Sequence, residues 1–282
     1  MKKIIPLLVA GLLVTLKGPC QTAGYEVYAI KFAAMAHPSP LSDWADKAPT
    51  KDSVNIDFMV WLIKGKNGKN ILVDAGFLKD IKEAQDFDIG TYIRPDSMLT
   101  KVGLQPGDIT DIILSHPHWD HIDGISLFPN AHIWIQKEDY DYYVGMAWQK
   151  GVDNGGFNKR DVRQMVELNM AGKVTLVDGD DKEIMPGIKV YTGSRHTFNS
   201  QYVLVQAAGN KVILASDNIW IYYSLQHLVP AAPGGTFDPA GYVKAMQRMK
   251  TLVSDVKYII PGHDAKIFSI FPTVADGVVR IQ

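Results

Sequence analysis

One heptapeptide, Ser115-His116-Pro117-His118-Trp119-Asp120-His121, constrains this chain more than any other stretch. It follows directly on Asp111-Ile112-Ile113-Leu114, a short, mostly apolar run of the kind that forms a buried strand. Its side chains therefore sit in a loop at a strand's carboxyl end. Imidazole and carboxylate both ligate zinc and similar divalent ions. In an extended loop His116 and His118 project to the same side, two residues apart. Asp120 and His121 come after the chain bends and can reach a second point, so the spacing can serve two neighbouring metals.

One stretch cannot complete two sites, and three further candidates sit just beyond apolar strands. His196 follows the strand Gly187 to Tyr191, Asp217 ends Val212-Ile213-Leu214-Ala215-Ser216-Asp217, and His263 follows the strand Lys257 to Ile260. Asp74, in the turn after Asn70 to Val73, is a candidate to orient an imidazole, or else caps that turn. His132 opens a strand and reads as structural. His37 and His227 read as loop residues, with His227 able to line a substrate mouth.

The 282 residues are 46% hydrophobic, enough for a sizeable core. Lys+Arg (29) balance Asp+Glu (30), so no basic excess marks a nucleic-acid binder. The single cysteine, Cys20, excludes an intrachain disulfide and a four-thiolate zinc site. Met1-Lys2-Lys3 and the apolar run Ile4 to Leu16 read as a secretory signal over residues 1–23, since a membrane span needs roughly 20 apolar residues. Residues 24–282 then form one periplasmic or secreted domain without stable membrane insertion.

Strands are expected at Tyr25 to Ala34, Val54 to Lys64, Asn70 to Asp74, Asp111 to Leu114, His132 to Gln136 and Lys173 to Val177. A second series runs Gly187 to Tyr191, Gln201 to Gln206, Lys211 to Ala215 and Lys257 to Ile260. Helices are expected at Asp96 to Val102, after Gln136 through Trp148, at Arg160 to Ala171, and from an Asp238 N-cap to about Leu252. Ala36 to Asp52 reads as a polar, proline-broken connection. Two strand-rich halves, each closing on a helix and a short strand, predict an α/β chain built as an αββα sandwich, two packed mixed sheets flanked by helices.

These residues resemble the metallo-β-lactamase superfamily over essentially the whole chain after the leader. The HxHxDH motif is His116, His118, Asp120 and His121; the third histidine matches His196, the metal-bridging aspartate Asp217, and the last histidine His263. The resemblance implies the αββα fold with its sites along one edge. It implies two divalent ions, zinc first, with iron, manganese and cobalt also compatible. His116, His118 and His196 would hold one, Asp120, His121 and His263 the other, with Asp217 and a hydroxide between them.

Within the superfamily, Asp217 disfavours class B β-lactamases, and His118 disfavours flavodiiron oxidoreductases. The 19 residues after His263 disfavour glyoxalase II enzymes. A secreted chain without a basic surplus disfavours ribonuclease Z-like nucleases. The chain is most similar to the N-acyl homoserine lactonase group, in Ile71-Leu72-Val73-Asp74-Ala75-Gly76, the histidine loop, and Ile133 to Tyr140. That resemblance implies opening of a small lactone with an apolar acyl chain, proton transfer through Asp120, and a homodimer as one assembly. Two positions depart from the pattern. Gly193-Ser194-Arg195-His196 replaces a TPGH-like sequence, and Trp220 stands where lactonases often carry a tyrosine that helps hold the carbonyl. Ile219 to Phe237 is either a loop packed on the core or, the preferred expectation, the lining of an acyl trough through Trp220, Tyr222 and Tyr223 with Met146 or Trp148. The alternative is an organophosphate triester or aryl-ester hydrolase of the methyl parathion hydrolase type.

Overall fold

The computed structural model describes residues 24–152 and 154–282; the leader expected over residues 1–23 lies outside them. The strand Glu26–Met35 sends Val27 and Ala29 into one core and Tyr28, Ile30 and Phe32 into another. Asp57–Lys64 divides the same way, Met59, Trp61 and Ile63 against Phe58, Val60 and Leu62. Successive side chains leave opposite faces of a strand, so strands apolar on both faces need cover on both.

That cover makes four layers, the expected αββα sandwich. A nine-stranded sheet runs Thr273–Ala275, Val278–Arg280, Glu26–Met35, Asp57–Lys64, Asn70–Val73, Asp111–Ile113, His132–Gln136 and Val174–Val177, with Ile89–Tyr92 also paired to Glu26–Met35. A five-stranded sheet runs Lys182–Met185, Ile188–Thr192, Gln201–Gln206, Lys211–Ser216 and Ile259–Pro261. Trp61, Ile71 and Val73 share one core with Val203, Val205 and Ile213 of the second sheet. Each large apolar side chain fully buried there contributes roughly 1.5–3 kcal/mol. The helix Pro239–Leu252, N-capped by Asp238 as expected, adds Tyr242, Ala245, Met246 and Met249 to that core. Tyr140, Tyr143 and Met165, from helices Lys137–Val144 and Lys159–Met170, cover the first sheet's other face.

Several boundaries differ from expectation. The helix after Gln136 ends at Val144; Gly145 breaks it, and Met146–Trp148 is a separate 3-10 turn. The helix at Asp96 begins at Pro95 and tightens to 3-10 after Met98. Val256–Tyr258 is a 3-10 turn, so the last parallel strand begins at Ile259. The connection Ala36 to Asp52 contains a two-residue strand, Ser39–Pro40, paired with Ser53–Val54.

The parallel pairings decide where chemistry can sit. Asn70–Val73, Asp111–Ile113, His132–Gln136 and Val174–Val177 run parallel, as do Lys211–Ser216 and Ile259–Pro261. Carboxyl ends of parallel strands open a crevice at one sheet edge. Asp74, Ser115, Asp217 and Gly262 all follow such ends directly or within two residues.

Candidate metal centre

The seven side chains singled out by the sequence meet at that edge. His116, His118 and His196 place one ligand atom each within 4.8 Å of one another, and so do His116, His121 and Asp217, and Asp120, His121 and His263. The groups overlap, so this is one continuous cluster. Asp217 spans it. Its Oδ2 lies 3.3 Å from His196 Nε2 and 3.9 Å from His116 Nε2, while its Oδ1 lies 3.3 Å from His121 Nε2 and 3.0 Å from His263 Nε2. Asp120 Oδ2 completes the second side, 3.1 Å from His121 Nε2 and 3.5 Å from His263 Nε2.

The opposite ring nitrogens are tied down, which fixes how each imidazole faces. Nδ1 of His121 lies 2.8 Å from Asp74 Oδ2, Nδ1 of His196 2.7 Å from the Gly235 carbonyl, and Nδ1 of His263 3.2 Å from the Asp57 carbonyl. His116 Nδ1 meets Ser115 Oγ at 2.8 Å. In each ring Nε2 is left to face the cluster. Such outer partners are what orient metal-binding histidines. Asp74, Arg195 and Ser216 adopt left-handed backbone at φ 62, 51 and 48, each beside a candidate ligand or its partner. Strain of this kind costs about 1–3 kcal/mol per residue and collects where surrounding structure must hold a site.

The donor set fits divalent metal. His121 Nε2 and Asp217 Oδ1 are buried atoms that make no hydrogen bond. His118 Nδ1 sits 3.1 Å from His116 Nε2 and 2.9 Å from His196 Nε2, three nitrogens converging on one point. Burial and neighbouring histidines hold His116 well below its ordinary pKa; burial and His196 push His118 down to about 3. Burial likewise lowers His196. All three are thus neutral near pH 7, the form that ligates metal. Burial would lower His121 and His263 too, but Asp217 and Asp120 outweigh it and raise both. A bound cation would replace those protons as the partner of the buried carboxylates.

The metallo-β-lactamase superfamily profile matches residues 59–263, most of the chain. The chain belongs to the metallo-β-lactamase superfamily. Among its relatives is an N-acyl homoserine lactonase of a Bacillus species, 27% identical over 225 residues, covering 74% of this chain and 82% of that protein. The N-acyl homoserine lactonase of Bacillus thuringiensis is 24% identical over 236 residues, covering 78% and 87%. A crystal structure of a B. thuringiensis AiiA variant with N-decanoyl-L-homoserine at its active site superposes with TM-score 0.67 at 21% identity, covering 88% of this chain and 96% of that one. The dizinc quorum-quenching lactonase AidC superposes with TM-score 0.63 at 19% identity, covering 86% and 88%.

A cleft of about 410 Å³ opens onto this superfamily centre. His118, Asp120, His196 and Asp217 form its floor, and Met35, Trp44, Phe87, Trp119 and Trp220 its walls. Of the substrate contacts expected from sequence, only Trp220 reaches it. Tyr222 is buried, its backbone N–H donating to Asp264 Oδ2, because Ile219 to Phe237 is no open trough but carries the short helix Tyr222–His227. That helix turns Tyr223 toward a separate cavity with Leu41, Gln226 and Lys266, its ring 4.1 Å from His227. Met146 is exposed and Trp148 donates to the Tyr143 carbonyl, both outside the cleft. His132 pairs with Thr175 and His37 with Asp88, away from the centre. The sequence did not single out Met35, Trp44, Phe87 or Trp119 for this cleft. For Trp44, a large aromatic inside a polar proline-broken connection was the available signal.

Proposed function

We propose that this chain is a dinuclear metallohydrolase that opens the lactone ring of N-acyl homoserine lactones. The observation that carries the reading is Asp217, whose two oxygens face the two halves of one histidine–carboxylate cluster at the floor of an apolar cleft. His116, His118 and His196 would hold one divalent ion and Asp120, His121 and His263 the other, with Asp217 shared. Ions so held supply Lewis acidity and an activated water near neutral pH. The relatives named as N-acyl homoserine lactonases support the substrate class.

The chain's own residues do the rest. Met35, Trp44, Phe87, Trp119 and Trp220 take the acyl chain out of water. Water's oxygen bonds to the carbonyl carbon, the ring C–O bond breaks, and the departing alkoxide oxygen takes a proton. Asp120, partly open to the cleft, carries that proton from the attacking water to the leaving oxygen. The product is the ring-opened hydroxy acid. Export through a leader over residues 1–23 belongs to the same proposal and rests on the amino-terminal sequence.

One observation favours a second reading. The cleft walls are mainly rings, and Trp220, which lacks a hydroxyl, stands where lactonases often use tyrosine. An aryl ester or aryl phosphotriester would stack on such walls. The test is kcat/KM on acyl-homoserine lactones of several chain lengths, a paraoxon-like triester and a cephalosporin. The proposal expects the lactones to lead by at least tenfold; a triester ahead of every lactone would overturn it in favour of the second reading.

A further inference from the structure

Trp220 does more than line the cleft. Its Nε1 donates to Asp217 Oδ2 at 2.8 Å, the oxygen that faces His196 and His116. Its backbone N–H donates to the buried hydroxyl of Tyr242, on the helix Pro239–Leu252. Its ring stands edge-on to Trp44 at 5.5 Å and to His196 at 5.4 Å. A Cβ at Gly235 would lie 2.4 Å from the ring, so only glycine there leaves space for the indole. The carbonyl of the same Gly235 accepts from His196 Nδ1. One residue therefore orients a histidine through its carbonyl and admits the indole that orients the aspartate.

A carboxylate shared between two cations must present one oxygen to each. Left unrestrained, Asp217 could turn about its terminal torsion, which is broad for sp³–sp² bonds. On the Oδ1 side, close packing of Gly262 limits it, since a Cβ there would lie 2.4 Å from that oxygen. On the Oδ2 side, Trp220 supplies a directional hydrogen bond. We propose that Trp220 is a positioning residue that acts through Asp217, holding the carboxylate in its two-sided orientation and thereby slowing loss of metal. The inference rests on the dinuclear reading above.

The test compares wild type with two variants, Trp220→Phe and a chain carrying benzothienylalanine at position 220, which keeps the bicyclic shape and lacks the N–H. Each is loaded with zinc and challenged with a chromophoric chelator, and the rate of metal transfer is followed. Unfolding of the metal-free proteins is measured alongside. Loss of an outer hydrogen-bond partner typically weakens metal binding 10–100-fold. We expect release about 10–100 times faster in both variants, with the metal-free benzothienylalanine protein unfolding within about 2 °C of wild type. Two zinc ions per wild-type chain with unchanged release in the benzothienylalanine variant would overturn the role of the N–H alone. Fewer than two ions in wild type would overturn the dinuclear reading and this inference with it.

Discussion

Asp74→Asn is a sharp probe of how the centre is held. Asp74 is fully buried and accepts from Ser115 N–H at 2.7 Å through Oδ1. Its Oδ2 meets Ser216 Oγ at 2.8 Å, Ser115 Oγ at 2.9 Å and His121 Nδ1 at 2.8 Å. Asparagine matches the shape and tolerates the left-handed φ of 62 at this position. It cannot match the acceptors. If the amide oxygen keeps Ser115 N–H, the amide nitrogen faces His121 Nδ1, donor against donor. If the amide flips, the clash moves to Ser115. Relief at His121 would come from moving its proton to Nε2, the nitrogen that faces the cluster, and that tautomer cannot ligate. One buried charged hydrogen bond lost amounts to about 1.5–3 kcal/mol, or roughly 10–100-fold in metal affinity. Chelator competition at pH 7 reads the affinity, and urea unfolding of the metal-free protein reads the stability. Unchanged values in both assays would show that Asp74 merely shapes its turn.

Three further outcomes are expected. Asp120→Asn should lower kcat about 100-fold or more while metal content falls much less; undiminished turnover by a fully metallated variant would remove Asp120 from proton transfer. Phe87→Ala removes a cleft ring 5.4 Å from Trp119 and should raise KM for decanoyl-homoserine lactone about tenfold while leaving the butanoyl compound within about twofold; equal changes for both would place the acyl chain elsewhere. Burial pushes Asp139 up to about 6 from 3.8 despite hydrogen bonds from Thr197 Oγ1 and Asn199 N–H. A carboxyl raised in the folded state binds its proton more tightly there than when unfolded. Its contribution is therefore complete below about pH 4 and is lost, by about 3 kcal/mol, as pH rises to about 6. Asp139→Asn should flatten that segment of the stability–pH curve, and an unaltered segment would assign it to other groups.

The ligand cluster was legible in the sequence because each member follows an apolar strand, and strand ends at one sheet edge converge whatever the loops do. The layering was legible for a related reason. Runs such as Phe58 to Ile63 are apolar at every position and so demand cover on both faces. The cleft walls were not. Trp44 and Phe87 lie in connections without periodicity, and only tertiary packing brings them opposite Trp220. Tyr222 and Tyr223 misled because the loop after Asp217 closes into the helix Tyr222–His227, which turns one ring into the core and the other to a separate cavity. The carbonyls of Asp57 and Gly235 that orient two histidines are backbone atoms, which no residue type advertises.

Metal content is the most direct measurement of the central claim. Protein expressed with zinc in the medium, passed through a desalting column and analysed by inductively coupled plasma mass spectrometry should carry two metal ions per chain. His263→Ala should carry close to one, because His116, His118 and His196 remain intact on the other side of Asp217. One ion or none in wild type would contradict a centre built on two ions, and two retained in His263→Ala would remove His263 from the second site.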